Sequence, residues 1–335
     1  MKKVKIGFIG YGYWGKNILR NLCAIKDVEV IAVCDANLGN LEKAKNVVLA
    51  SKKYDAKLIV TAQFDHLLAD KDIDAIVIAT PPQTHYKLGI QALKAGKHVF
   101  IEKPMTTNRQ EAIDLVNAGI IHQKQVMVGH TFLYHPVIND IKKLIDSGEL
   151  GKIYYLDLVW TNLGKYQKDN ILWDLGPHGL SIVEYLMGEI LSIKLNSISA
   201  IQADLLDVAY LTAYLPNNGF ANIHISWLNP NKQRKLTIVG SRKMVVFDDL
   251  NTLEPLRIYD KGVEQSKSTS SWGESMMSYR HGSITIPQTT LGEPLAIELN
   301  HFIDCVTNNT KSRTNGSHGA RIINLIEKAN KQYEK

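Results

Sequence analysis

Lys103 and the pair Asp174 and His178 are side chains of this sequence whose types and spacing could move a proton or steady a charge. An imidazole exchanges protons near neutrality, its unperturbed pKa lying near about 6.5. A lysine cation can stabilise a developing alkoxide, and a desolvated lysine can itself act as a base. Asp174 and His178 stand four apart in Trp173-Asp174-Leu175-Gly176-Pro177-His178, just ahead of the apolar run 180–187. On a helix that spacing puts both on one face, and Pro177 is tolerated if it falls in the first turn, where backbone N–H groups are unpaired anyway. A plainer reading has Asp174 capping the helix and His178 at the surface.

Gly10-Tyr11-Gly12-Tyr13-Trp14-Gly15 follows the apolar run Val4–Ile9 with the spacing G-x-G-x-x-G. Such a loop turns a strand into a helix, lets backbone N–H groups approach a pyrophosphate, and points the positive end of the helix dipole at it. The next apolar run, Val28–Cys34, ends in Asp35, about 20 residues beyond the last glycine, where an acid accepts the ribose hydroxyls. Asp35 could instead merely end the strand or cap the next helix. Ala36, Asn37, Leu38 and Gly39 follow, with no Arg to receive a 2′-phosphate, so NAD is favoured over NADP.

These residues need a parallel sheet to bring them together. Up to about Gly129, short apolar runs alternate with helical periodicity, the pattern of βα units. After the helices that begin at Gly15 and Leu38, a buried strand at 75–79 stops at Thr80-Pro81-Pro82, and Tyr86, Ile90 and Leu93 recur at helical spacing. The strand 98–101 runs into Glu102-Lys103-Pro104. Ligands lie beyond the carboxyl ends of such strands, so Lys103 is expected to point to the same crevice as the glycine loop. Thr107 and Gln110 fit a capping box, with Ile113, Val116 and Ile120 as the apolar stripe behind it. After a strand at 125–128 and a helix at 136–147 the sequence becomes strand-rich, with runs at 153–161, 193–200, 208–215, 220–228, 235–239 and 244–247. Turn signals at Asn217-Asn218-Gly219, Asn229-Pro230-Asn231 and Gly240-Ser241 make that sheet largely antiparallel. Residues 266–271 read as a polar loop, and helices from about Leu295 and Ser317 close the chain.

The glycine loop, Thr80-Pro81-Pro82 with His85, Glu102-Lys103-Pro104, and the Asp174, Gly176, His178 pattern resemble the glucose-fructose oxidoreductase and myo-inositol dehydrogenase (Gfo/Idh/MocA) family. The likeness covers nearly the whole chain, including Gly148 to Gly151 and Glu293-Pro294-Leu295. It implies an α/β Rossmann domain, residues 1–129, followed by an α+β domain, 130–335, with a large open, mainly antiparallel sheet that binds substrate and pairs subunits; the closing helices can pack back on the first domain. It also implies NAD as cofactor and Lys103, Asp174 and His178 as the catalytic set. Cofactor contacts are expected from Gly10, Gly12, Tyr13, Trp14, Gly15, Asp35, Thr80, Pro81, His85, Glu102 and Lys103. Substrate contacts are expected from Lys103, Tyr166, Trp173, Asp174 and His178. The stretches 130–151 and 170–188 are most similar to dehydrogenases of nucleotide-linked sugars, including those that oxidise the C3 hydroxyl of UDP-N-acetyl sugar acids. The activity so implied is NAD-dependent oxidation of a secondary ring hydroxyl, with His178 or Lys103 taking its proton. The alternatives are a free polyol or aldose dehydrogenase and a non-catalytic NAD-binding sensor; the joint presence of Lys103, Asp174 and His178 counts against the sensor.

Other candidates carry two readings each. His130 could line the nicotinamide or sit in the core, and Trp160, Tyr166 and Trp173 could stack on a sugar or pack internally. Lys165 and Lys168 could meet a diphosphate or simply be solvated. A formal charge of +6, from 39 basic and 33 acidic residues without a block of either sign, argues against a nucleic-acid partner. Cys23, Cys34 and Cys305 are odd in number and lack ligand spacing, so a reducing compartment and no metal are expected. The basic start runs directly into the first strand rather than an export signal, and no apolar stretch reaches the 18 or so residues of a membrane span. The expectation is a soluble cytoplasmic homodimer or homotetramer acting on a small molecule.

Overall fold

The computed structural model describes residues 3–51, 58–164, 166, 170–265, 277–290 and 292–333, with the side chains of Asn217 and Gln265 left out. The chain forms two compact units, Met1–Tyr134 with Gly292–Glu327, and His135–Leu291 with Lys328–Lys335.

The first unit is built on β1 (Val4–Ile9), α1 (Gly15–Ala24), β2 (Val28–Cys34), α2 (Leu38–Ala50), β3 (Ile59–Thr61), α3 (Phe64–Ala69), β4 (Ala75–Ile78), α4 (Pro82–Lys94), β5 (His98–Glu102), α5 (Arg109–Ile121) and β6 (Val126–Gly129). Its sheet runs β3-β2-β1-β4-β5-β6 with every pair parallel. β2, β4 and β6 are buried at every residue, which requires cover on both faces and explains why they read as continuous apolar runs rather than alternating ones. The order reverses direction at β1 and β4, and the crevice at that switch point is where the glycine loop and Thr80 emerge.

The second unit comprises α6 (Pro136–Asp146), β7 (Ile153–Leu163), α7 (Ile171–Asp174), α8 (Gly176–Met187), β8 (Ser192–Ile198), β9 (Val208–Tyr214), β10 (Phe220–Ser226), β11 (Leu228–Gly240), β12 (Met244–Asp248), β13 (Leu256–Gln265) and β14 (Met277–Thr285). The sheet order is β14-β13-β12-β11-β7-β10-β9-β8. Neighbours are antiparallel except β7 and β10, which are parallel. One face carries Leu156, Leu158, Trp160, Leu211, Ile223, Ile225, Leu236 and Ile238, all buried. α8 lies on β7 and β10 there, so closely at Gly179 that a Cβ would come within 2.6 Å of the Ile223 side chain. The closing helices are α9 (Pro294–Asn308) and α10 (Gly316–Tyr333). α9 packs on α1 and β1, and Phe302 meets Phe100 edge to face at 5.6 Å.

Three local expectations are corrected. α5 is capped by Asn108, whose side chain accepts from the Glu111 amide, rather than by Thr107. Its buried stripe is accordingly Ala112, Leu115, Ala118 and Gly119, and Ile120 is exposed. The third correction falls at Asn229-Pro230-Asn231, which does not end a strand. It lies inside β11, where pairing skips from Leu228 opposite Leu163 to Gln233 opposite Thr161, and a bulge of that kind needs no ladder N–H from Pro230. The loop read at 266–271 lies outside the described residues.

Candidate functional site

The cofactor side is assembled within the first unit, from the carboxyl ends of its strands. Gly10 has φ +98°, and a Cβ there would lie 2.6 Å from the Ala79 carbonyl; at Gly15 it would overlap the Gly10 carbonyl oxygen. Only glycine permits both. At Gly12 a Cβ would meet nothing within 4 Å, leaving open space beside the backbone where a dinucleotide's phosphates could sit. Tyr13 is largely exposed, with Lys16 Nζ 5.2 Å from its ring centre.

Asp35 is half-buried at the end of β2 and is held from two sides. Its Oδ2 accepts from the Tyr11 amide at 2.6 Å and its Oδ1 from the Asn37 amide at 2.8 Å. It therefore does not cap α2; Asn37 does, accepting from the Asn40 amide at 3.0 Å. Fixed this way, the carboxylate keeps lone pairs for ribose hydroxyls and a charge that disfavours a 2′-phosphate. These donors, this clearance and this acid fit NAD.

Glu102 ends β5 and joins two of the motifs. Its Oε1 accepts from the Trp14 indole of the glycine loop at 3.0 Å, and its Oε2 from the Lys103 amide at 3.2 Å. The carboxyl lies over Gly129, where a Cβ would come within 2.8 Å of Oε1. Burial pushes this carboxyl up to about 7, against the pull of the Lys103 charge and the two hydrogen bonds. Behind it Glu298 of α9 is also buried, and its Oε2 accepts from the Thr131 hydroxyl at 2.7 Å. Burial, reinforced by the Glu102 charge, holds Glu298 well above the ordinary carboxyl range.

His85 is wholly buried, with Nε2 2.8 Å from the Thr80 carbonyl and Nδ1 2.9 Å from that of Pro104. It thus bridges the end of β4 and the segment after Lys103; burial lowers its pKa, against the pull of the two carbonyls, which favour a ring protonated on both nitrogens. Thr80 pairs its hydroxyl with that of Thr84 at 2.6 Å, and Pro81 precedes α4 as an exposed residue. His130 packs edge to face on His318 at 5.1 Å, and neither ring nitrogen of either residue has a hydrogen-bond partner among the described residues. Burial, with His318 and the Lys103 charge nearby, keeps His130 far toward neutral. Its place is the core, within electrostatic reach of Lys103.

The second unit holds the other candidates. Asn170 opens α7 by accepting from the Leu172 amide at 3.0 Å, so Asp174 is not the cap. α7 passes through Leu175, in helical conformation, into α8, placing Asp174 and His178 on successive turns. Both are half-buried, as is Trp173. Asp174 Oδ2 accepts from the Trp227 indole at 3.1 Å. Tyr166 turns its ring toward Trp227, 5.3 Å between centres, and donates its hydroxyl to Asp207 at 3.3 Å. Trp160 is buried with the Arg234 guanidinium over its ring. Lys165 and Lys168 lie outside the described residues. Among those described, no group of His, Cys, Asp and Glu could hold a metal ion, and no helix is long and apolar enough to cross a membrane.

Sequence reasoning missed Trp227 and Glu298, because their partners lie 53 and 167 residues away and no local pattern marks them. Asn170 could have been found, since it stands where a helix cap is needed.

Comparison with known proteins bears on both units. Residues 4–130 match the family described as "Oxidoreductase family, NAD-binding Rossmann fold", and residues 138–246 match the Gfo/Idh/MocA C-terminal domain. An inositol 2-dehydrogenase/D-chiro-inositol 3-dehydrogenase of Lactiplantibacillus plantarum is 27% identical over 191 residues, 55% of this chain and 53% of that protein. The match thus spans about half the length of that relative. Among solved structures, the UDP-N-acetylglucosamine 3-dehydrogenase GnnA of Acidithiobacillus ferrooxidans is 24% identical with a TM-score of 0.79, covering 98% of this chain and 97% of that one. GenD2 from gentamicin A biosynthesis, solved with NAD, is 18% identical with a TM-score of 0.80, covering 100% and 95%. At these identities the two structures establish the fold.

Proposed function

Because this chain belongs to the Gfo/Idh/MocA oxidoreductase family, with its NAD-binding Rossmann fold, we propose that it oxidises a secondary ring hydroxyl of a sugar, C3 of a nucleotide-linked N-acetyl sugar or its uronate. The observation that carries the reading is the junction at Glu102, where one buried carboxyl accepts from both the glycine-loop indole and the Lys103 amide. A residue meant to act on a substrate beside a bound dinucleotide gains from such a tie, because small displacements of a reacting group are costly in rate.

NAD supplies the hydride acceptor when bound. The glycine loop and Asp35 would hold its adenosine half, and the Asp35 charge would disfavour NADP. Lys103 places a cation against the hydroxyl oxygen as negative charge develops there. His178 accepts the hydroxyl proton, and Asp174 orients the imidazole or accepts a neighbouring sugar hydroxyl. Trp173, beside Asp174, offers a ring for a sugar face. The relative named for inositol oxidation favours a second reading, in which the substrate is a free polyol.

The test is NADH formation by the full chain with UDP-N-acetylglucosamine, its uronate, myo-inositol and aldoses, each with NAD and with NADP. Oxidation of a nucleotide sugar with NAD, well ahead of NADP, is expected. Turnover of myo-inositol alone would move the substrate to the second reading, and binding of NAD with no oxidation of any of these would favour a sensor.

A further inference from the structure

Trp227 joins β10 to β11 as the chain passes from one side of β7 to the other, and it is one of the largest wholly buried side chains. Its backbone is fixed at both ends: the amide donates to the Asp207 carbonyl at 3.0 Å, and the carbonyl accepts from the Gly164 amide at 3.0 Å. Its ring is fixed as well. A Cβ on Gly164 would lie 2.8 Å from Cδ1, so the absence of a side chain there makes room for the indole, and Tyr166 lies tilted 54° against it. Tyr166 is anchored in turn by Asp207, a fully buried carboxylate that also accepts from the Ala200 and Ile201 amides. An indole has one N–H to donate and no acceptor. Here that N–H goes to Asp174 Oδ2 at 3.1 Å.

We propose that Trp227 is a positioning residue for Asp174, its buried indole holding Oδ2 and so the direction in which the carboxylate faces the substrate hydroxyls or His178. This rests on the reading that gives Asp174 a part in the reaction. A hydrogen bond to a charged group generally stabilises by more than one between neutral groups, and outer partners that orient metal-bound side chains cost about tenfold or more when removed; a similar loss is expected for a working carboxylate held in this way. A merely structural tryptophan would need Asp174 only as somewhere to place a buried donor. The two roles predict different experiments.

The first experiment uses full-length protein labelled at indole nitrogen, whose five tryptophans give five side-chain resonances. The Trp227 signal is the one missing in Trp227→Phe, or, if that variant does not fold, is assigned from the labelled wild type. It should move upfield in Asp174→Ala and shift measurably in the shape-conserving Asp174→Asn. An unmoved resonance in both overturns the proposal whatever the activity. The second is a cycle of Trp227→Phe, Asp174→Ala and the double variant, read by single-turnover hydride transfer with NAD and UDP-N-acetylglucosamine, or myo-inositol if that is the compound oxidised. We expect Trp227→Phe to slow transfer about tenfold, leave NAD affinity unchanged, and have no further effect once Asp174 is Ala. Equal slowing in both backgrounds makes Trp227 structural and overturns the proposal while the functional reading stands. If Asp174→Ala transfers hydride at the wild-type rate, Asp174 has no part in the reaction, and both the reading of Asp174 and the role of Trp227 fall together.

Discussion

Glu102 joins the glycine loop and the Lys103 segment of the first unit through one side chain. Its carboxyl is buried, and two hydrogen bonds and the nearby Lys103 charge offset that burial in part. Raised from 4.5 to about 7, it keeps its proton in the folded state over a range in which the unfolded chain has already released it. The sign follows from linkage: the stability linked to this proton is fully present below the unfolded value and is lost as pH rises through about 7. We expect unfolding free energy, measured by urea titration between pH 4.5 and 8, to fall by up to about 3 kcal/mol on account of this group. Glu102→Gln should flatten that slope, leaving the part that Glu298 contributes in the same direction. An unchanged slope in Glu102→Gln would show that Glu102 titrates as an ordinary exposed acid. Glu102, Lys103 and Asp35 could be singled out from sequence, since each follows an apolar run at a strand end. The partners that set their behaviour could not, because Trp14 is 88 residues from Glu102 and Glu298 is farther still.

Elements were legible to the extent that burial is periodic along them. β1 and β2 read directly because nearly every residue is apolar and covered. β13 and β14 did not, because β14 has no buried residue and β13 mixes charged and apolar side chains without alternation. β3 is three residues long, too short for any period to show. At α5 the element was visible but its register was off by one, since Thr107 and Asn108 are both plausible caps in sequence and only the backbone decides between them. Asn108→Ala should therefore destabilise the protein by about 1 kcal/mol, the usual cost of losing a side-chain cap. Thr107→Ala, which removes only a hydroxyl contact to Glu111 at 3.2 Å, should cost less. Thermal or urea unfolding of the two variants checks this, and the reverse order would restore the cap to Thr107.

At the scale of the whole molecule, the large sheet of the second unit leaves one face for a partner. Tyr155 stacks on Phe220 and Tyr210 on His224, around a polar centre in which Thr212, Asn222 and Asp157 hydrogen-bond in a row. Tyr210, Tyr214 and Phe220 are 51%, 45% and 37% exposed, so a broad half-apolar surface faces solvent. We expect such faces to pair in a symmetric dimer or tetramer, and Tyr210→Lys with Phe220→Lys to shift light scattering toward the monomer mass; a monomeric wild type at micromolar concentration would contradict this. Assembly, cofactor binding and fold could all hold, however, without catalysis. The claim that Lys103 and His178 perform the chemistry is tested most directly by single-turnover hydride transfer at saturating NAD and sugar in Lys103→Met and His178→Ala, with folding checked for each. We expect NAD affinity close to wild type and transfer slowed by about two orders of magnitude or more. Two folded variants that still transfer hydride at close to the wild-type rate would contradict it.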